Sequence, residues 1–197
     1  LIDIIVSIIG LFLMIIPFII IVVIIKVSSK GNIIFKQKRV GLNSVEFIVH
    51  KFRTMYSDSE EKSGPVWASK DDPRITPIGK ILRKTRLDEF PQLYDVLIGN
   101  MSIVGPRPED PKYVRLFEKD YKKILSVRPG CVSPGWIKYR DEVIFKKIIK
   151  DANNIEERYI KEVLPKKIFE DTIYINNMSF VKDITIILKA ILSLVSK

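Results

Sequence analysis

The chain has 197 residues, enough for one domain with a sizeable core, and carries 33 Lys+Arg against 23 Asp+Glu, a net charge of +10. Such a balance calls for an anionic partner: nucleic acid, anionic lipid or a phosphate-rich substrate. The single cysteine, Cys131, excludes an internal disulfide and fits a reducing compartment. The single histidine, His50, argues against a histidine-based zinc site, so a metal would fall to oxygen ligands, hence magnesium or manganese.

In chain order, Ile4 to Ile25 is nearly all aliphatic, broken only by Ser7, Gly10 and Pro17. The run is long enough to cross a bilayer as a helix. It lacks the basic start and small-residue cleavage site of a signal peptide. Pro17 removes a backbone hydrogen bond in mid-run and predicts a kink there. Two geometries are open: a helix that spans, or one that bends and returns to the side it entered. In both, Lys26, Lys30, Lys36, Lys38 and Arg39 place the rest of the chain on the cytoplasmic side, near anionic headgroups.

Asn32 to Gln37 and Glu46 to Phe52 read as strands joined by the turn Gly41-Leu42-Asn43-Ser44, a small hairpin. On and just after its second strand, Lys51 and Arg53 are within reach of a phosphate, or are simply solvated. Ser57 to Pro77 is polar and loop-like, a flap or a connector. Ile78 to Lys84 reads as a short basic helix. After it stands Leu87-Asp88-Glu89-Phe90-Pro91-Gln92-Leu93, and Leu93, Val96 and Leu97 then recur at helical spacing up to Gly99-Asn100. Asp88 is placed as the N-cap of that helix, with Pro91 in its first turn. A carboxylate there stays ionised beside free N–H groups, in a place that also attracts phosphate. An ionised aspartate can attack phosphorus, and a neighbouring glutamate can hold a divalent cation over the same phosphates. Taken alone, the local pattern favours the plainer reading, in which Asp88 only caps the helix and Glu89 only suits its dipole.

In Val104-Gly105-Pro106-Arg107-Pro108 two prolines stiffen the backbone around Arg107, suiting its guanidinium to forked binding of a phosphate. Asp110 to Leu125 is predicted helical. Cys131 to Arg140 is Gly/Pro-rich, with Trp136 as a platform for a flat ring or as core, and Arg140 as a second phosphate contact. Glu142 to Asn153, Ile155 to Val163 and the stretch from Pro165 through Tyr174 read as further helices. In Phe180 to Val195, Lys182, Thr185, Lys189, Ser193 and Ser196 form a narrow polar stripe beside a broad aliphatic face. That describes a helix lying in a membrane surface, or one docked on the core. The expected class is α+β and mainly helical, with residues 1–30 a hydrophobic anchor and 31–197 a cytoplasmic domain ending in an interfacial helix.

Phe35-Lys36-Gln37-Lys38-Arg39-Val40-Gly41, Lys51-Phe52-Arg53-Thr54-Met55, Leu87 to Leu93, Met101 to Pro108 and Arg128-Pro129-Gly130 together resemble the bacterial sugar transferases, the monotopic phosphoglycosyl transferases. The likeness runs through essentially the whole chain in the same order and is to the small catalytic form. The resemblance implies transfer of a phosphosugar from a UDP-sugar to a polyprenol phosphate at the bacterial inner membrane, initiating a surface glycan. It implies Asp88 as nucleophile, forming an aspartyl-phosphosugar intermediate, and Glu89 as its helper, with magnesium (or manganese) at the pair. It implies Arg107 and Arg140 as phosphate ligands, Asp183 as a supporting acid, and a re-entrant first helix. The partners implied are the UDP-sugar, the polyprenol phosphate and the lipid bilayer, with no nucleic acid; the sugar, the glycan and any homo-oligomer stay open. Here Ile16 stands before Pro17 where small members often carry serine, and Cys131-Val132-Ser133-Pro134-Gly135-Trp136 stands where the family often reads Gly-Ile-Thr-Gly-Trp. Composition alone admits a rival, a non-catalytic basic membrane adaptor that binds anionic lipid or nucleic acid.

Overall fold

The computed structural model describes residues 2–57, 72–139 and 155–195. It is mainly helical and divides into two compact units, one of residues 1–37 and 48–98, the other of 38–47 and 99–197. The predicted helix over Glu142 to Asn153, residue Arg140 and most of the polar loop before Pro77 lie outside the described residues.

The first unit begins with two apolar helices, α1 (Ile2–Leu13) and α2 (Ile15–Ser28), bent by 61° at their junction. The break falls at Met14, three residues before the expected kink at Pro17. The cause is still the proline: its ring displaces the carbonyl four residues back, that of Leu13, where α1 stops. Neither helix alone is long and apolar enough to cross a membrane. Most of their large side chains are exposed, from Ile2 and Phe12 through Ile16 to Val27. The inward side of α1 is small. Ser7 is fully buried, and a Cβ on Gly10 would come within 2.8 Å of Leu93 on α4 (Gln92–Leu97), so a larger residue there would push the helices apart.

Strand β1 (Ile34–Val40) pairs with β2 (Glu46–Phe52) as the expected hairpin, its turn taking Asn43 and Ser44 through the left-handed region. Phe52 packs along α2, with its ring 4.8 Å from that of Phe18, in a core formed with Ile21, Ile25 and Leu82. Leu82 comes from α3 (Pro77–Thr85), whose start is fixed by Thr76: its side chain accepts from the Gly79 N–H, and proline takes the first position. A Cβ on Gly79 would lie 2.0 Å from the Thr54 carbonyl, so glycine lets the helix lie directly on the strand end. Leu87 and Phe90, on either side of the acidic pair, pack on the same core.

The second unit contains a parallel pair that periodicity did not predict: β3 (Ser102–Val104) beside β4 (Gly130–Val132), in register Ser102 with Gly130 and Val104 with Val132. At its end Gly105 and Gly130 meet backbone to backbone, and a Cβ on Gly130 would fall 2.1 Å from the Gly105 nitrogen. The predicted helix from Asp110 to Leu125 is two helices, α5 (Pro111–Leu116) and α6 (Glu118–Ile124), separated by Phe117 at φ −126° and ψ 39°. Beyond them come α7 (Pro134–Tyr139) and α8 (Ile155–Arg158), which runs through a π turn at Tyr159–Val163 into α9 (Leu164–Asn176). The last helix, α10 (Phe180–Val195), leaves Phe180, Val181, Leu188, Ile191 and Leu192 exposed.

Candidate active site

Asp88 and Glu89 do not open a helix. They lie inside a single 3-10 turn, Leu87–Glu89, entered through Arg86 in the left-handed conformation (φ 63°), and α4 starts only at Gln92. The expected N-cap role of Asp88 is therefore corrected: Leu87 and Phe90 bury against the core, and this holds the turn away from the helix start. The expectation that Asp88 stays readily ionised changes with it. Asp88 is 8% exposed, and its Oδ1 is buried without a hydrogen-bond partner. Burial first, and then the neighbouring charge of Glu89, raise its pKa above the ordinary carboxylate range, against the pull of Lys51, Arg86 and Arg83. A buried carboxylate oxygen that no donor satisfies is costly. Such an oxygen keeps its capacity to meet a cation or to bond to an electrophile.

Three cations converge on the pair. Lys51 reaches Glu89 Oε1 with its Nζ at 3.3 Å, and an Arg86 nitrogen lies 4.0 Å from the same oxygen. Arg83 donates its Nε–H to Thr54 Oγ1 at 2.8 Å and acts on Asp88 by charge. The segment from Lys51 to Met55 is thus divided residue by residue. Lys51 faces Glu89, Phe52 enters the core, Thr54 holds Arg83, and Met55 bridges to Ile75. Arg53 goes elsewhere. Its guanidinium donates to the carbonyls of Lys30 (2.6 Å), Ser29 (2.8 Å) and Ile25 (3.5 Å) and to the hydroxyls of Ser57 and Ser29. These carbonyls end α2, so Arg53 caps that helix rather than facing a phosphate.

Behind the pair, α4 is tied to β2 through Asp95, which sequence reasoning passed over. Its carboxylate is fully buried, accepts the backbone N–H of His50 at 2.9 Å and meets His50 Nδ1 at 2.7 Å. Lys51 follows His50 directly, so this clamp sets where Lys51 meets Glu89.

Arg107 belongs to the second unit and is half-buried. Its loop leaves the β3–β4 pair, with the Gly105 N–H donating to the Val132 carbonyl at 3.0 Å and the Gly130 N–H to the Pro106 carbonyl at 2.8 Å. Asp183 accepts a hydrogen bond from the buried Tyr174 hydroxyl at 2.6 Å, joining α10 to α9. Trp136 stands in α7, and Arg140 lies outside the described residues. Among the described residues no cluster of three or more metal-ligating side chains forms. A cation at this site would depend on Asp88 and Glu89, with substrate oxygens completing its shell, which is the usual way magnesium is held beside phosphates. The unsatisfied Asp88 oxygen fits that group.

A buried aspartate beside a half-buried glutamate, with Lys51, Arg83 and Arg86 about them, is a site suited to phosphate chemistry. The chain belongs to the bacterial sugar transferase family, whose profile matches residues 1–197. It is 37% identical over 174 residues to the UDP-N-acetylgalactosamine-undecaprenyl-phosphate N-acetylgalactosaminephosphotransferase of Aeromonas hydrophila, covering 86% of this chain and 37% of that protein. It is 47% identical over 98 residues to a putative undecaprenyl-phosphate N-acetylgalactosaminyl 1-phosphate transferase of Bacillus subtilis, covering 50% and 54% of the two chains. The exopolysaccharide production protein ExoY of Sinorhizobium fredii is 30% identical over 203 residues, covering 96% and 81%. The matches to the first two relatives span roughly a third to a half of those proteins' length.

Proposed function

We propose that the chain transfers a phosphosugar from a UDP-sugar to undecaprenyl phosphate, in two steps, through an acyl phosphate on Asp88. In the first step an Asp88 carboxylate oxygen attacks the phosphorus that bears the sugar, the bond to the bridging oxygen breaks, and UMP leaves. In the second, the phosphate oxygen of the polyprenol attacks the same phosphorus, and the Asp88 carboxylate is released as the leaving group. The observation that carries this reading is the buried Asp88 oxygen without a hydrogen-bond donor, set among Lys51, Arg83 and Arg86. Lys51 and Arg86 hold Glu89 beside it. Magnesium bound at the pair would screen the diphosphate against the approaching carboxylate. Arg107 supplies a guanidinium to a donor phosphate.

The lipid substrate requires a membrane seat. The exposed aliphatic surface of α1 and α2 and the apolar face of α10 supply it, and their 61° bend suits a hairpin that enters and leaves one leaflet. The lysines after α2 favour the cytoplasmic face. The relatives' names support the donor and acceptor classes and leave the sugar open.

Intact-protein mass after incubation with a UDP-sugar and magnesium tests the route. A gain of one phosphosugar with release of one UMP, in the absence of lipid, is the expected result. UMP release only when undecaprenyl phosphate is added would replace it with a one-step transfer in which Asp88 serves as base. No UMP with any UDP-sugar would return the chain to a membrane adaptor.

A further inference from the structure

Four buried or half-buried polar side chains surround the Arg107 loop, and the proposed chemistry uses none of them. Glu109 Oε2 accepts from the Tyr159 hydroxyl at 2.8 Å and lies 3.6 Å from Lys167 Nζ. Lys167 donates in turn to the Tyr159 oxygen at 2.9 Å. Asp171 accepts from Ser133 Oγ at 3.0 Å, from the Gly135 N–H at 2.9 Å and from the backbone N–H of Arg107 itself. On the other side the Val40 N–H donates to the Glu109 carbonyl at 3.1 Å. The backbone on both sides of Arg107 is therefore held, while its side chain stays half-buried.

Stability alone is a weak reason for this arrangement. A buried ion pair is seldom better than well-packed apolar residues of the same volume. Here the cost is increased, because Lys167 and Arg107 carry like charges that act on each other. Burial and the Arg107 charge both push the Lys167 ammonium toward its neutral form, against the pull of Glu109. Lys167 is held against that push by two carboxylates, Glu109 and Asp171, and the second of these also holds the Arg107 backbone.

We propose that Glu109, Tyr159, Lys167 and Asp171 form a positioning assembly that fixes the Arg107 loop, so that Arg107 binds a phosphate of the donor. The proposal rests on the reading of Arg107 as a phosphate ligand. These are positioning residues: Glu109, Tyr159 and Asp171 act through the Arg107 loop, and Lys167 by holding Glu109 and Tyr159 in place. None of the four was marked by a sequence motif, because three of them come from the helical stretch 159–171, far along the chain from Arg107.

The test is steady-state kinetics on the full chain, with whichever UDP-sugar releases UMP, together with calorimetric binding of UDP. Tyr159→Phe removes one hydroxyl and keeps the ring that packs 5.3 Å from Tyr113. It should raise KM for the donor and the Kd for UDP about fivefold, with kcat within about twofold, the part of the two lost hydrogen bonds, to Glu109 and from Lys167, that is passed on to Arg107. Lys167→Met should raise both by more than about tenfold. In an Arg107→Ala background, Tyr159→Phe should add nothing further, since groups that act through one another are non-additive. Unchanged KM and Kd in Tyr159→Phe, or effects that multiply with Arg107→Ala, would overturn the proposal, as would a fall in melting temperature alone. If Arg107→Ala itself leaves KM and Kd unchanged, the phosphate role of Arg107 fails first and the assembly loses its purpose.

Discussion

Asp88 and Asp171 are both buried aspartates with raised pKa values, and they are used in opposite ways. Asp171 gives its oxygens to a hydroxyl and to backbone N–H groups, so it builds structure. Asp88 keeps an oxygen with no donor at all, among cations that make its charge tolerable without consuming it. Burial and a shifted pKa do not by themselves mark a reactive carboxylate. What separates the two is whether the hydrogen-bonding capacity is spent.

The largest effect that would break this contrast is at Asp88. Asp88→Asn should abolish UMP release and the covalent adduct, a loss of at least ~10³-fold for a missing nucleophile. Turnover by that variant would place the reactive oxygen elsewhere. Glu89→Gln should cost ~10²-fold or more in UMP release while the melting temperature holds. The two neighbouring cations sharpen the point. Arg53→Met should remove about 2–4 kcal/mol of stability, seen as a lower melting temperature in detergent, because it uncaps α2 and leaves the last carbonyls unpaired. Lys51→Met should instead lower activity with little change in melting.

A last effect concerns pH. Burial raises the Asp171 pKa from 3.8 to about 6, so its contribution to stability is present below about pH 4 and is lost as pH rises through about 6. Asp171→Asn should therefore gain on the wild type between pH 4.5 and 7, by up to about 3 kcal/mol if the whole shift is expressed. Melting temperatures of both proteins at the two pH values give the comparison. A constant difference would mean that the carboxylate does not ionise with that cost.

Much of this site was legible because it is local. The apolar run, the hairpin, the basic helix at 77–85 and the Asp88-Glu89 pair each have a pattern a few residues long. What escaped depends on distant parts of the chain. Asp88 reads as an N-cap from its neighbours, and only the packing of Leu87 and Phe90 on Phe52 and Ile25 keeps it in a separate turn. Arg53 and Lys51 look alike in sequence, and the end of α2 decides that one is a cap. The β3–β4 pair is too short for any periodicity. Its cause is the close approach of Gly105 and Gly130, which no spacing announces.

The hairpin's second strand gives one further consequence. Two residues apart, it fastens Arg53 to the foot of the apolar helix and points Lys51 at Glu89. On the proposed reading, Asp88 and Glu89 thus keep a fixed altitude above the apolar helices. Whatever depth α1 and α2 were to take in a bilayer, the pair would rise or sink with them, and a long-chain phosphate would need only to float at that level to be met.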